Sequence, residues 1–464
     1  MPPVRGASFR RDVALPRPGR WRTLVPAPLH PGILLQALEL HPGTDYFNDE
    51  SGFPAMSNRP DQAAGQEATS AEVVIVGGAR TPQGRLNGQL ASFTAVELGA
   101  FAIAGALEKS RVPAADVNAV IMGHVVQAGC GQNPARQASI KAGIGWNVPT
   151  VTLNKVCLSG LAAVIDAARL IRGGEATVVV AGGQESMSRG PHLLPGSRQG
   201  WNYGNISALD AVAHDGLTDA FDNDSMGIST ERGNTKLAIK RLEQDEVAAA
   251  SHRRAAAAMA SGVFDAEIVP VTVPQRRGEP LVLTADEGVR PNTTPETLAG
   301  LRPAFDPEGT ITAGNSSPLS DGAAALVLTT RAYADENGLE VLAVVGLPGQ
   351  VAGPDNTLHS QPSNAVFAAL DRAGWSTSDL DFIEINEAFG AVAVQSLNEL
   401  GMDLDQCNLN GGAIALGHPI GASGARLALT AAHELLRRGS GRAAVALCGG
   451  GGQGEALLLY REEA

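Results

Sequence analysis

Two stretches of the chain follow the same plan: SGLAAVIDAARLIRGGEATVVVAGG at residues 159–183 and SGARLALTAAHELLRRGSGRAAVALCGG at residues 423–450. Each begins with Ser-Gly, continues as a run of helix formers that ends in arginine, passes through glycine and finishes as an apolar strand followed by Gly-Gly. The two Ser-Gly pairs lie 264 positions apart (423 minus 159). Unless the similarity is due to chance, this internal repeat predicts a core made of two related α/β halves.

Short apolar strands and helices also alternate before the first of these units. Glu72 to Val76 and Val117 to Met122 have the pattern of buried strands. Thr94 can cap a helix from Ala95 to Lys109. Such alternation is typical of a mostly parallel sheet covered by helices on both faces, so the sequence predicts the α/β class.

The segment between the two units differs in character. Residues 187–309 are rich in polar stretches and short strands punctuated by proline, with one charged, alanine-rich helix near residues 243–261. Long inserted loops usually have a function, often as covers or binding elements. The predicted domains are a first half at 71–190 and 310–335, an inserted loop domain at 191–309 and a second half at 336–464.

Composition excludes several classes of protein. The 464 residues are 44% hydrophobic and 18% charged, with a net charge of -13, which argues against nucleic acid as a partner. A charge-free run of 18 apolar residues is absent from the sequence, so no membrane span is predicted. The four cysteines, at positions 130, 157, 407 and 448, have neither CxxC nor metal-ligand spacing. We therefore expect free thiols, no metal site and a cytoplasmic location.

The beginning of the chain is unlike the rest. Its first 38 residues contain six arginines and one acid, and several prolines interrupt them. We expect residues 1–70 to be a disordered leader, with Met56 as a candidate true start. A mitochondrial transit peptide is the alternative, although the prolines would break its amphipathic helix.

Cys157 is the first candidate for chemistry. It lies in NKVCLSG at residues 154–160, directly before the first repeated helix. The positive end of a helix dipole and its free N–H groups favour a thiolate, the nucleophilic form of cysteine. The alternative is a buried structural thiol.

His418 is the second candidate, because GGAIALGHPIGASG at residues 411–424 fixes it between glycines and a proline before the second repeated helix. Twofold symmetry of the repeats would bring the starts of both helices to one place. A histidine there can accept the proton of Cys157, as in covalent catalysis, although a single histidine is more often structural.

Two further motifs follow predicted strands. Cys448 begins CGGGGQG at residues 448–454, and Asn386 begins NEAF after the strand at residues 381–385. The carboxyl ends of strands are where α/β sheets place their ligands. A second thiol and a side-chain amide are therefore expected beside Cys157 and His418.

Taken in order, these four motifs resemble those of the thiolase family, and the resemblance extends from about Val73 to Leu459. The segments GQESM at 183–187 and TAGNSS at 312–317 are similar to family segments as well. The resemblance implies a five-layer α-β-α-β-α core of two repeated halves, with an inserted loop domain that receives coenzyme A. It also implies a homotetramer built as a dimer of dimers.

The resemblance also assigns roles. Cys157 would be the acylated nucleophile, His418 its activating base and Cys448 the second acid and base. One oxyanion hole would combine His418 with a water held by Asn386, and backbone N–H groups of Cys157 and Gly450 would form the other. The predicted contacts with the coenzyme A thioester are Ser317, His192 and Ala313.

The reaction implied by the resemblance is the reversible condensation of two acetyl-CoA molecules to acetoacetyl-CoA, with no cofactor. A degradative 3-ketoacyl-CoA thiolase is the alternative, because it would use the same residues on longer chains. A binding protein for acyl-CoA without turnover is a further alternative, but it would not need all three of Cys157, His418 and Cys448. Pro318 and residues 349–364 depart from the common family pattern. These differences bear on which acyl chain the enzyme prefers, and not on the reaction.

Overall fold

The computed structural model describes residues 71–275 and 277–463, so the expectations for residues 1–70 lie outside the described residues. The strands are β1 Val73–Arg80, β2 Gly84–Arg85, β3 Ala119–Gly123, β4 Thr150–Leu153, β5 Val178–Ser186, β6 His192–Leu193, β7 Leu209–Asp210, β8 Val271–Val273, β9 Leu281–Leu283, β10 Ser320–Thr330, β11 Ala343–Ala352, β12 Phe382–Ile385, β13 Gly441–Gly449 and β14 Gln453–Arg461. The helices are α1 Ala95–Ser110, α2 Pro134–Lys141, α3 Ser159–Arg172, α4 Met226–Leu237, α5 Arg241–Ala260, α6 Pro295–Ala299, α7 Arg331–Glu336, α8 Gln361–Ala373, α9 Gly390–Leu400, α10 Ala413–Leu416 and α11 Ser423–Arg438. Among these helices, none is both long enough and apolar enough to cross a membrane.

The main sheet has the strand order β12-β13-β14-β11-β1-β10-β5-β3-β4. Only β3 with β4, β3 with β5, and β12 with β13 pair in parallel. The strands at the centre pair antiparallel, so the expectation of a mostly parallel sheet is wrong. The reason is that β10 returns beside β5 only after the inserted segment, and β14 follows β13 through a tight glycine turn.

The strand order itself repeats, which confirms the two related halves. The order β1-β10-β5-β3 in the first half corresponds to β11-β14-β13-β12 in the second. The two halves join where β1 pairs with β11. Beside β12, a bridge between Ile383 and Cys407 occupies the place that β4 takes in the first half.

Three buried apolar clusters divide the core into layers. Helices α3 and α11 pack against each other and bury side chains of both half-sheets, such as Ile75 and Val445, in one central cluster. Helices α1 and α2 cover the outer face of the first half-sheet, where Val74 lies. Helices α8 and α9 cover the outer face of the second, where Ile385 lies. This sequence of layers is the predicted α-β-α-β-α arrangement.

Local signals in the sequence account for several helix boundaries. Thr94 caps α1, since its side chain accepts the N–H of Glu97 while the Glu97 carboxylate accepts the N–H of Thr94. The alanine-rich helix expected near residues 243–261 is α5, at Arg241–Ala260. The inserted segment also contains the small hairpins β6–β7 and β8–β9. The domain boundaries themselves stay predictions.

Candidate active site

A cavity of about 310 Å³ lies where the two halves meet the inserted segment. Cys157, His418 and Cys448 all line it, although they are far apart in the sequence. Cys157 precedes α3, His418 precedes α11, and Cys448 stands near the end of β13. The repeat therefore brings together the starts of its two helices, as the twofold symmetry predicts. Ser317 and Gly450 line the same cavity.

Hydrogen bonds fix the turn that presents Cys157. The hydroxyl of Ser159, the first residue of α3, accepts the N–H of Lys155 at 2.8 Å and donates to the carbonyl of Val156 at 2.6 Å. Val156 has a φ of +52°, an unusual value for a β-branched residue. Residues held in such conformations cluster at functional sites. The turn thus directs Cys157 into the cavity just before the helix begins.

The thiol of Cys157 is protonated in the resting site. Burial, helped by the nearby charge of Glu185, raises the pKa of Cys157 to about 12. The backbone N–H groups of Cys157 and Gly450 lower the pKa, as expected for the start of a helix, but they do not offset burial. The helix end was visible in the sequence, whereas the apolar surroundings of the sulfur were not. Cys157 needs a base at the moment of attack.

His418 is held as a neutral base. The hydroxyl of Ser423 donates to the carbonyl of Pro419 at 3.0 Å, so it accepts from His418 Nδ1 at 2.6 Å. This assignment places the proton on Nδ1 and leaves the lone pair on Nε2. Burial, helped by the positive charge of Arg426, lowers the pKa of His418 to about 3. The imidazole is thus uncharged at neutral pH and can accept a proton through Nε2.

Asn386 faces Nε2 of that imidazole. It follows β12, whose pairing with β13 continues through a bond from the N–H of Asn386 to the carbonyl of Ala446 at 3.0 Å. Its Nδ2 lies 3.4 Å from His418 Nε2. The structure therefore places the side-chain amide at the base, as the sequence predicted for the end of this strand.

Cys448 is the more deeply buried of the two cavity thiols, with 1% exposure. It packs in an apolar cluster with Phe389 and Val392 from the NEAF segment and α9. Burial raises the pKa of Cys448, and the sulfur of Cys157 raises it further. This effect requires the two sulfurs to lie near each other, so an ionised Cys157 would oppose ionisation of Cys448.

The structure brings only one of the three predicted thioester contacts to the cavity. Ser317 lines it, and its hydroxyl donates to the carbonyl of Ala388 at 3.0 Å. Ala313 and His192 are exposed and lie outside the lining residues. Their contact with coenzyme A stays a prediction.

The sequence analysis missed the apolar walls of the cavity, which come from segments distant in sequence. These walls are formed by Val156, Met187, Leu217, Met226, Phe305, Leu319, Leu358, Phe389 and Ile420. It also missed Ser423, although this residue begins the second repeated unit and is the partner of His418 Nδ1. An apolar cavity with a few convergent polar groups suits a small acyl group.

Fold and cavity together define a two-halved α/β protein with a site built from two cysteines and one histidine. Comparison with known families agrees with this class: residues 73–332 match the model of the thiolase N-terminal domain, and residues 339–461 match that of the thiolase C-terminal domain. The chain belongs to the thiolase family.

This chain aligns with almost the whole length of several curated relatives. A probable acetyl-CoA acetyltransferase of Mycolicibacterium smegmatis is 58% identical over 388 residues, which is 84% of this chain and 100% of the relative. A protein of the same name from Mycobacterium tuberculosis is 58% identical over 386 residues, 83% of this chain and 98% of the relative. An acetyl-CoA acetyltransferase of Cupriavidus necator is 48% identical over 391 residues, 84% of this chain and 100% of the relative.

Proposed function

We propose that this chain is an acetyl-CoA C-acetyltransferase that condenses two acetyl-CoA molecules to acetoacetyl-CoA and free coenzyme A, reversibly, through an acetylated Cys157. One observation carries the proposal: a single cavity contains a nucleophile, a neutral base and a second thiol. The names of the relatives support acetyl-CoA as the substrate.

The first half-reaction transfers an acetyl group to the enzyme. His418 Nε2 takes the proton of Cys157 while the sulfur attacks the thioester carbonyl. Cys448 gives its proton to the departing coenzyme A thiolate. At the end of this step Cys157 carries the acetyl group, His418 is an imidazolium and Cys448 is a thiolate.

The second half-reaction forms the carbon–carbon bond. The Cys448 thiolate removes an α-proton from a second acetyl-CoA, and the resulting carbanion attacks the acetyl carbon on Cys157. Cys157 leaves as a thiolate and recovers its proton from His418, which restores the starting state. The raised pKa values of both thiols and the lowered pKa of His418 fit a cycle that starts from three uncharged groups.

Two sets of donors are available for the negative oxygen of each tetrahedral intermediate. The backbone N–H groups of Cys157 and Gly450 both act on the Cys157 sulfur, so an acyl oxygen on that sulfur would lie close to them. His418 and a water on Asn386 would form the second set. Preorganised donors of this kind typically contribute about 3–4 kcal/mol each. The proposed reaction uses only protein groups and this water, with no cofactor.

The proposal includes two finer assignments: a cytoplasmic location, which the free thiols favour, and a homotetramer, which the family resemblance implies. Large apolar side chains on the surface support assembly, for example Trp146 with 80% and Val151 with 53% exposure. Light scattering of the purified protein tests the oligomer: four copies are expected, and a monomer at micromolar concentration would contradict it.

Product analysis of the purified enzyme tests the function. With acetyl-CoA alone, it should form acetoacetyl-CoA and release one coenzyme A for each condensation. Thiolysis of 3-ketoacyl-CoA substrates of increasing chain length should be fastest for acetoacetyl-CoA. A clear preference for long chains would favour the degradative thiolase instead, and acyl-CoA binding without turnover would favour the binding protein.

A further inference from the structure

Glu185, at the end of β5, joins the two halves of the protein beside the cavity. Its carboxylate is completely buried. It accepts the backbone N–H groups of Val125 and Val126, each at 3.1 Å, from the segment after β3. It also accepts the N–H of Gly421, at 2.9 Å, from the loop of the second half. Gly421 is three residues beyond His418, so this carboxylate lies one short loop away from the base.

The peptide at Gly421 fits tightly against the first half. A Cβ atom on Gly421 would stand 2.8 Å from Glu185 Oε2 and 2.9 Å from the Cα of His124. A Cβ on Gly183 would stand 2.0 Å from the carbonyl oxygen of Gly421, and one on Gly123 would stand 2.5 Å from it. Since Cβ atoms do not approach other atoms so closely, these glycines let the loop of His418 enter the other half. The Glu185 carboxylate holds the loop against the first half through its hydrogen bond with the N–H of Gly421.

Glu185 is also paired with a buried histidine near the nucleophile. Its Oε1 lies 3.3 Å from Nε2 of His124, which is completely buried and is the cationic partner in this pair. Burial is the main reason for the high pKa of Cys157, and the charge of Glu185 adds to it. The other titratable groups at this point are His418 and Cys448 beside the Cys157 thiol, with Cys130 next to His124.

We propose that Glu185 is a positioning residue for the condensation: its carboxylate anchors the Gly421 loop to the first half and so sets the place of His418. This inference rests on the proposed function. Two substitutions disturb the anchor in different ways. Glu185→Asp is one carbon too short to reach Gly421, whereas Glu185→Gln keeps the length but replaces one of the two accepting oxygens with an NH2 group.

Two measurements on the full-length protein test the anchor. In Glu185→Asp, kcat for acetoacetyl-CoA synthesis should fall about 10²-fold, as expected for a misplacement of about 1 Å, while KM stays within about twofold. Its rate of Cys157 alkylation by iodoacetamide at pH 8 should fall as well, because a displaced His418 is a poorer base for the thiol. Glu185→Gln should show the same two losses, since its amide has a single accepting oxygen.

Asp286→Asn is the matched control. Asp286 is also a buried carboxylate, paired with Arg80 at 2.8 Å and accepting the backbone N–H of Gln83 at 2.8 Å, but neither partner belongs to the loop of His418. It should lower the melting temperature and leave kcat and the alkylation rate within about twofold of the parent.

Either measurement can refute the proposal. If Glu185→Asp keeps kcat within twofold of the parent, Glu185 does not position the base. The same conclusion follows if the Cys157 alkylation rate of Glu185→Asp stays within twofold of the parent. The alkylation comparison uses no coenzyme A ester, so it remains decisive even if the parent protein makes no acetoacetyl-CoA, a result that would refute the proposed function alone.

Discussion

The protonation of Cys157 before substrate binds can be measured by its alkylation rate as a function of pH. With a pKa of about 12, the thiol is ionised in about one molecule in 10⁴ at pH 8. An ordinary cysteine is ionised in about a quarter of molecules at that pH. Since the thiolate is the reactive form, Cys157 should react about 10³-fold more slowly than an accessible free cysteine. Its rate should rise about tenfold for each pH unit between pH 7 and 10.

The assay is mass-spectrometric mapping of iodoacetamide adducts over time, with the partly exposed Cys130 as internal reference. Acetyl-CoA should protect Cys157 and leave Cys130 unaffected. His418→Gln should make the Cys157 rate slower still, because the base that lines the cavity with Cys157 is removed. A rate that is high and independent of pH from 6 to 9 would show a stable thiolate–imidazolium pair, and it would refute the neutral resting state described above.

Three further predictions concern other parts of the molecule. Burial alone would lower the pKa of His124, but Glu185 more than offsets this and raises it to about 9. The folded value exceeds the unfolded value of about 6.5, so this pair stabilises the fold below about pH 6.5, and the contribution is lost as pH rises through 9. Thermal melts should show this loss, and His124→Gln should reduce the slope. Thr94→Ala should cost about 1 kcal/mol in the free energy of unfolding, measured with denaturant, without changing kcat. Gly421→Ala should reduce synthesis at least about 10²-fold in initial-rate assays, because the new Cβ would overlap Glu185, and near-normal activity would contradict the tight fit of the loop.

The sequence was sufficient for the repeat and for the residues that meet in the cavity, because these depend on local patterns, while the five layers followed from the family resemblance. The Ser-Gly pairs that open α3 and α11 are such a pattern: a Cβ on Gly160 would stand 2.8 Å from the N of Ala425, and one on Gly424 would stand 2.4 Å from the N of Leu161. Small residues are therefore needed where the two helices cross. Once both helix starts share one place, Cys157 and His418 must share it too.

Strand direction could not be predicted from the same patterns. Alternation of strands and helices normally indicates parallel neighbours, but it does not show which strand fills the space beside β5. That strand is β10, which arrives after the whole inserted segment and runs antiparallel. The glycine run after Cys448 was correctly associated with the site, yet it also forms the turn that reverses the chain into β14.

The electrostatics of the site depended on burial and on long-range contacts. A helix terminus beside Cys157 is visible in the sequence, whereas the low polarity around its sulfur arises from segments that meet only in the fold. In the sequence, Glu185 is only one residue of the GQESM segment at 183–187. Its bond to Gly421 spans the two halves, so no local pattern could reveal it.

The two-thiol mechanism is tested most directly by Cys448→Ala. This variant removes the proton acceptor for the second acetyl-CoA and leaves Cys157, His418 and the oxyanion donors in place. It should still incorporate radiolabelled acetyl from acetyl-CoA onto Cys157, though more slowly, while Cys157→Ala should incorporate none. It should fail to exchange the α-protons of acetyl-CoA, and its condensation rate should fall by about 10²–10⁴-fold. Condensation by Cys448→Ala at a rate within a few-fold of the parent would contradict the mechanism.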